Sequence, residues 1–208
     1  MIKTSALCLA SASPRRRELL AQIGLKPHIL PCNIDESVLE DESPHAYVCR
    51  MATEKARVAE ASLVETGQLV PVLAADTAVI AEQQILGKPA DEQDALRMLT
   101  LLSACEHNVL SAVALIRETR IRVVVNNTRV QFRAIGRAEM KAYWRSGEPC
   151  DKAGAYAIQG LGSVFVRAIH GSYSGVVGLP LYETVELLRE HGIEIPGLPI
   201  TQIDGTGQ

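Results

Sequence analysis

Apolar residues recur along this chain in two rhythms, every three to four positions and in short unbroken runs, so helices and strands are predicted to alternate. Ala6 to Ala10 is a short apolar run that predicts a buried strand. Pro14 to Ile23 follows as a helix with Pro14 in its first turn, Ser13 available as its cap, and Leu19, Leu20 and Ile23 on one face. Pro27 to Pro31 forms a second strand and runs into a polar loop containing Asp35 and Glu36. Ser43 then caps a long helix that carries Pro44 in its first turn and ends before Gly67. Val72 to Ala81 is a strand apolar on both faces, broken only by Asp76 and Thr77. A turn at Glu82-Gln83-Gln84 precedes Ile85 and Leu86, and Asp91 caps a helix striped by Ala95, Met98, Leu99 and Leu102.

Asn108 to Arg117 and Ile121 to Phe132 are long β-rich stretches joined as a hairpin through Glu118-Thr119-Arg120. Arg137 to Arg145 is helical, the stretch SVFVRAIHG is strand-like, and a last helix covers about Leu181 to His191. These elements predict an α/β fold with antiparallel pairing in its middle. No repeat, low-complexity tract or linker divides the chain. Residues 1–195 are therefore expected to form one domain, and the Pro/Gly-rich stretch 196–208 a loose tail.

Composition changes this picture little. Of 208 residues, 47% are apolar and 22% charged, which is ordinary for a globular chain with a real core. A net charge of −3 argues against a general nucleic-acid surface, so any positive patch must be local. Five widely spaced cysteines with no CxxC pair predict reduced thiols and a cytoplasmic location. No signal peptide or membrane-length apolar run is visible, so no membrane partner is expected.

Charge placement changes it a great deal. Arg15, Arg16 and Arg17 stand in the first turn of a helix, where unpaired N–H groups already make the end positive. On the long helix, Val48, Met51, Ala52 and Ala59 share one stripe, and Lys55 falls in its middle. Asp76 puts a carboxylate inside a strand buried on both faces, and Gly87 and Pro89 hold Lys88 at a strand end. Each feature alone has a bland explanation: a snorkelling lysine, a structural aspartate, a surface turn. Together they suit a polyphosphate chelated to a divalent ion, with Asp35-Glu36 as further carboxylates. The bound anion would accept the helix N–H groups and reverse the arginines' repulsion. There is no GxxxxGK[ST] and no GxGxxG after a strand, so side-chain charge must replace a glycine-rich cradle. No GxSxG elbow accompanies the five histidines, and His107 and His170 read as ordinary polar residues. Cys32 and Cys150 read as small buried apolar groups.

Six ordered blocks resemble the signatures of the Maf family of nucleotide pyrophosphatases. They are LASASPRRRELL, YVCRMATEKA, VLAADTAVI, LGKPADEQDALRMLTLLS, DKAGAYAIQGLGSVFVRAIHGSY and VVGLPL, and they span about residues 6 to 190. The resemblance implies a Maf/Ham1-like (ITPase-like) α/β fold, an elongated, curved mixed sheet flanked by helices with two lobes around a central cleft. It implies hydrolysis of a nucleoside triphosphate to monophosphate and diphosphate with a divalent cation, Mg²⁺ or Mn²⁺, in the clearing of nucleotide pools.

Carried over by residue, the resemblance makes Asp76 the proton acceptor and Glu36 a metal or water ligand, with both holding the metal. It turns Lys55 and Lys88 toward the phosphates and puts Ser11, Ser13, Arg15 and Arg16 in the phosphate-binding loop. The three positions that separate the family's branches read Arg15, Thr77 and Gln159, as in the branch acting on dTTP and UTP. Another base preference, such as 7-methyl-GTP, and a non-catalytic nucleotide-binding regulator of cell division are the alternatives. Ala157 replaces the usual glycine of YGIQG, and LSAC replaces LSG, both outside the charged positions. Oligomeric state is left open, a homodimer included.

Overall fold

A computed structural model describes residues 7–197. Ala6 and most of the expected tail, 198–208, lie outside that range. Seven strands form one mixed sheet in the order β2-β1-β3-β5-β6-β7, with β4 paired to the end of β3. Strands β1 (Cys8–Leu9) and β2 (His28–Ile29) run parallel, and β1 also runs parallel to β3 (Val72–Ala81). The pairings of β3 with β4 (Gln84–Leu86) and β5 (Glu106–Arg117), of β5 with β6 (Arg120–Phe132), and of β6 with β7 (Val166–His170) are antiparallel.

The sheet carries apolar clusters on both faces, which is why β3 reads as a continuous apolar run rather than an alternating one. Helix α2 (Pro44–Glu65) lays Val48, Ala52, Ala56 and Ala59 against Val72, Ala74 and Ala78 of one face. Leu20 of α1 (Pro14–Gln22), Leu99 of α3 (Glu92–Leu102), Met140 of α4 (Arg137–Arg145) and Leu187 of α6 (Leu181–Glu190) join the cluster that holds Leu73, Ala75 and Val79 of the other. Strand alternation therefore assigns Asp76 to the α2 side and Thr77 to the opposite side. Among the described residues, no helix is long and apolar enough to cross a membrane.

Several expectations need correction. The second strand is only His28–Ile29, shorter than Pro27–Pro31. The stretch SVFVRAIHG divides, its first half belonging to the 3₁₀ turn Leu161–Phe165 and its second to β7. A short helix α5 (Tyr173–Val177) was not expected, because five residues are too few to show a period. Both hairpin turns hold two residues, Glu82-Gln83 and Glu118-Thr119, all with positive φ. Gln84 and Arg120 already belong to strands. That conformation matches the twist of paired strands, so the ladder imposes it on side chains that favour it less than glycine or asparagine.

His107 is not an ordinary polar residue. It is 2% exposed, packs edge-on against Phe132 and Tyr156, and shares a 2.9 Å hydrogen bond between Nε2 and the Tyr156 hydroxyl. Burial lowers its imidazole to about 4. An unfolded chain takes up this proton as pH falls through about 6.5, whereas the folded chain resists until about 4, so stability declines across that window. The full loss is on the order of 3 kcal/mol. His107→Gln should flatten the fall in urea midpoint between pH 7 and 4.5. A variant that keeps the wild-type slope would assign it to other groups.

Candidate active site

A cleft of about 470 Å³ opens where α1, α2, β3 and the segment 151–159 meet. Ten sequence-predicted residues line it: Ser11, Ser13, Arg15, Arg16, Glu36, Lys55, Asp76, Thr77, Lys88 and Gln159. Asp35, offered with Glu36 as a further carboxylate, does not line it and instead accepts the Ser37 N–H at 2.9 Å.

Its centre is a lysine between two carboxylates. The apolar stripe of α2 carries Lys55 onto the sheet, and the parity of β3 turns Asp76 toward it; both are only 8% exposed. Lys55 Nζ donates to Asp76 Oδ1 at 2.8 Å and pairs with Glu36 Oε1 at 2.7 Å. Glu36 comes from the loop between β2 and α2, and its other oxygen lies 3.7 Å from Lys88 Nζ. Partial burial alone would raise the Glu36 carboxyl, but the Lys55 hydrogen bond and the charges of Lys55, Lys88 and Arg16 hold it below the usual range. The loop is fixed from α2: the Tyr47 hydroxyl donates to the Glu36 carbonyl at 3.1 Å, and Arg50 donates to the Ser37 carbonyl at 2.8 Å. Arg50 also grips Glu42 with two bonds of 2.6 and 2.7 Å. Burial and the nearby charges of Asp76 and Glu36 push the Tyr47 hydroxyl up to about 12.

The first turn of α1 forms another wall. Ser43 and Asp91 cap their helices with side-chain bonds to Ala46 and Asp94 N–H. Ser13, predicted to do the same for α1, makes no capping bond. Its N–H instead donates to Ser11 Oγ at 3.2 Å. Arg16 donates through Nε to the Gly178 carbonyl at 2.8 Å and through Nη1 to Ser11 Oγ at 3.2 Å. Burial lowers its guanidinium below the ordinary value, with Asp76 acting against that. Arg15 lines the cleft and makes no side-chain hydrogen bond among the described residues.

Thr77 faces the other way from Asp76. Its hydroxyl lies 2.9 Å from Ser111 Oγ and 3.5 Å from the Gly178 carbonyl. Ser111 donates its single proton to the Gly175 carbonyl at 2.7 Å, so Thr77 must donate to Ser111 or Gly178 and keeps only acceptor capacity for a ligand. Gln159 is exposed on the cleft wall, where its amide offers both donor and acceptor.

Sequence reasoning missed several lining groups. Asp151 and Lys152, which pair with each other, stand in the DKAGAY block already quoted for resemblance, but no role was drawn from them. Cys32 is half-buried and lines the cleft, and Cys150 is exposed, so neither is the buried apolar group expected. The Gly178 carbonyl that holds Arg16 had no side-chain signal to reveal it.

The family model described as Maf-like protein matches residues 6–191. A dTTP/UTP pyrophosphatase of Bordetella parapertussis is 54% identical over 196 residues, covering 91% of this chain and 94% of its own. Proteins of the same description from Saccharophagus degradans and Neisseria meningitidis serogroup B are 49% and 45% identical, with at least 90% of each chain covered. Among solved structures, the Staphylococcus aureus Ham1 protein aligns with a TM-score of 0.43 at 12% identity, covering 61% of this chain and 71% of its own. A nucleoside-triphosphatase / dITP/XTP pyrophosphatase from Mycobacterium abscessus gives 0.42 at 14%, covering 89% and 97%. These structural likenesses are too loose to bear on the site.

Proposed function

The chain belongs to the Maf-like protein family, and on that premise we propose that it hydrolyses dTTP and UTP to the nucleoside monophosphate and diphosphate. The observation that carries this reading is the convergence of Asp76 and Glu36 on Lys55, in a cleft also lined by Arg15, Arg16 and Lys88. Relatives at 45 to 54% identity that bear the name dTTP/UTP pyrophosphatase support the substrate class.

The donor set suits a divalent ion that arrives with its substrate. Two carboxylates converge on one cation, and among the described residues no group of three or more His, Cys, Asp or Glu side chains forms a complete cage. Mg²⁺ is commonly held in this way, by one or two carboxylates plus phosphate oxygens and water. Glu36 and Asp76 would hold it. When bound, it supplies charge neutralisation on the phosphates and lowers the pKa of a coordinated water.

The chain's own groups do the rest. Asp76 takes the proton of the attacking water as it adds in line to the α-phosphorus. Lys55 holds Asp76 and Glu36 adjacent, since without a cation between them the two carboxylates would repel. Lys88, Arg15 and the free Nη2 of Arg16 neutralise charge as it builds on the departing diphosphate, in the manner general to phosphoryl chemistry. Thr77, left only as an acceptor, suits the ring N–H of thymine or uracil, and the Gln159 amide suits the neighbouring carbonyl. A cytoplasmic location accords with five free cysteines.

A panel of nucleoside triphosphates with Mg²⁺ or Mn²⁺, with products separated chromatographically, tests this reading. Monophosphate and diphosphate should form fastest from dTTP and UTP. Orthophosphate as first product, or equal rates on purines, would overturn it.

A further inference from the structure

Gln159 makes no side-chain hydrogen bond among the described residues, so its aim depends on the backbone that carries it. That backbone is gripped from behind by two side chains outside the phosphate site. The Tyr143 hydroxyl, from α4, accepts the Ala157 N–H at 3.0 Å and donates to Glu148 Oε1 at 2.7 Å. Glu148, in the 3₁₀ turn Glu148–Asp151, accepts two more backbone donors, Leu161 N–H on Oε2 at 2.8 Å and Gly162 N–H on Oε1 at 3.0 Å. Gln159 sits between the gripped positions.

The fit is close enough to dictate glycines. A Cβ on Gly160 would collide with Glu148 Oε2, and one on Gly162 would stand 2.6 Å from the Tyr143 hydroxyl. Burial alone would raise the Glu148 carboxyl. The Gly162 N–H, the Tyr143 hydroxyl, the Leu161 N–H and the Lys152 charge together hold it below the usual range. Three converging donors on an ionised carboxylate make charge-assisted bonds, roughly twice as strong as neutral ones.

We propose that Glu148 and Tyr143 are positioning residues for base selection, holding the Ala157–Gly162 turn so that the Gln159 amide meets the base edge in one fixed orientation. The proposal rests on the reading of the cleft as a triphosphate hydrolase site. A site that discriminates by hydrogen bonds does so only while its donors and acceptors stay in place.

Glu148→Gln keeps the shape but cannot accept all three donors, and Tyr143→Phe removes the hinge between Ala157 and Glu148. In each, kcat/KM for dTTP should fall about tenfold, mainly through KM, while dGTP changes less than about threefold. The double variant should fall little further, because the two residues act as one unit. Hydrogen exchange at Ala157, Leu161 and Gly162 should quicken, which reads the grip without nucleotide. Equal loss on both nucleotides, unchanged preference, or unchanged exchange overturns the proposal. Equilibrium binding of dTTP against dGTP in the Asp76→Asn background reads the same preference without turnover. Failure of hydrolysis in the wild type, which would sink the proposed activity, is thereby told apart from failure of this positioning.

Discussion

Asp76→Asn protein should fold, bind dTTP within a few-fold of wild type, and turn over at least about a thousandfold more slowly. Asparagine retains the shape and the oxygen that accepts from Lys55 at 2.8 Å, so the wall of the cleft survives. It cannot take a proton from water, and it gives up the negative charge that helps hold a divalent ion. A positioned general base is worth roughly 10²–10⁴ in rate, and the weakened ion site adds to the loss. Arg15, Arg16 and Lys88 still attract the triphosphate, which is why binding persists. Single-turnover rates with calorimetric binding measure both halves. Turnover within tenfold of wild type would remove Asp76 from the chemistry.

Lys55→Met should lose stability as well as activity. Methionine fills the same stripe of α2 but leaves Asp76, 8% exposed, beside Glu36 with no ammonium between them. Removing one partner of a buried pair typically costs about 3–5 kcal/mol; Glu36 is partly solvated and Arg16 lies near, so about 3 kcal/mol is expected. At roughly 2–4 °C per kcal/mol for a chain of this size, the melting point should drop by about 6–12 °C. Mg²⁺ should restore part of that loss, and more than it adds to wild type, because the ion and the ammonium answer the same carboxylates. Combining Lys55→Met with Asp76→Asn should recover most of the stability while leaving the protein inactive. Thermal melts with and without Mg²⁺ decide the matter. A Lys55→Met protein as stable as wild type, and indifferent to Mg²⁺, would mean that the ion pair is incidental.

The two predictions depend on the same pair, and each of its members stands out in the sequence by itself. Lys55 broke an apolar helical stripe, and Asp76 broke an apolar strand. Periodicity exposes such violations because a buried face tolerates a charge only when something compensates it. Glu36 was legible as a candidate but not as a partner, since acidic loop pairs are common and nothing local ties this one to α2. The Tyr47 and Arg50 bonds that fix it bridge 11 and 13 positions along the chain. Thr77 is a different case. It adjoins Asp76 along the chain, but strand alternation turns it to the opposite face, where Ser111 and Gly178 engage its hydroxyl.

The longer helices and strands, the two misplaced charges and the family blocks follow from the residues in order, because each is a local pattern read over a few positions. Which carboxylate meets which cation did not follow. Nor did the loss of the expected Ser13 cap, or the grip of Tyr143 and Glu148 on the turn bearing Gln159. Those contacts join segments whose approach is set by packing α2 and α4 on the two faces of one sheet. Local pattern carries no information about such distances until the core has closed.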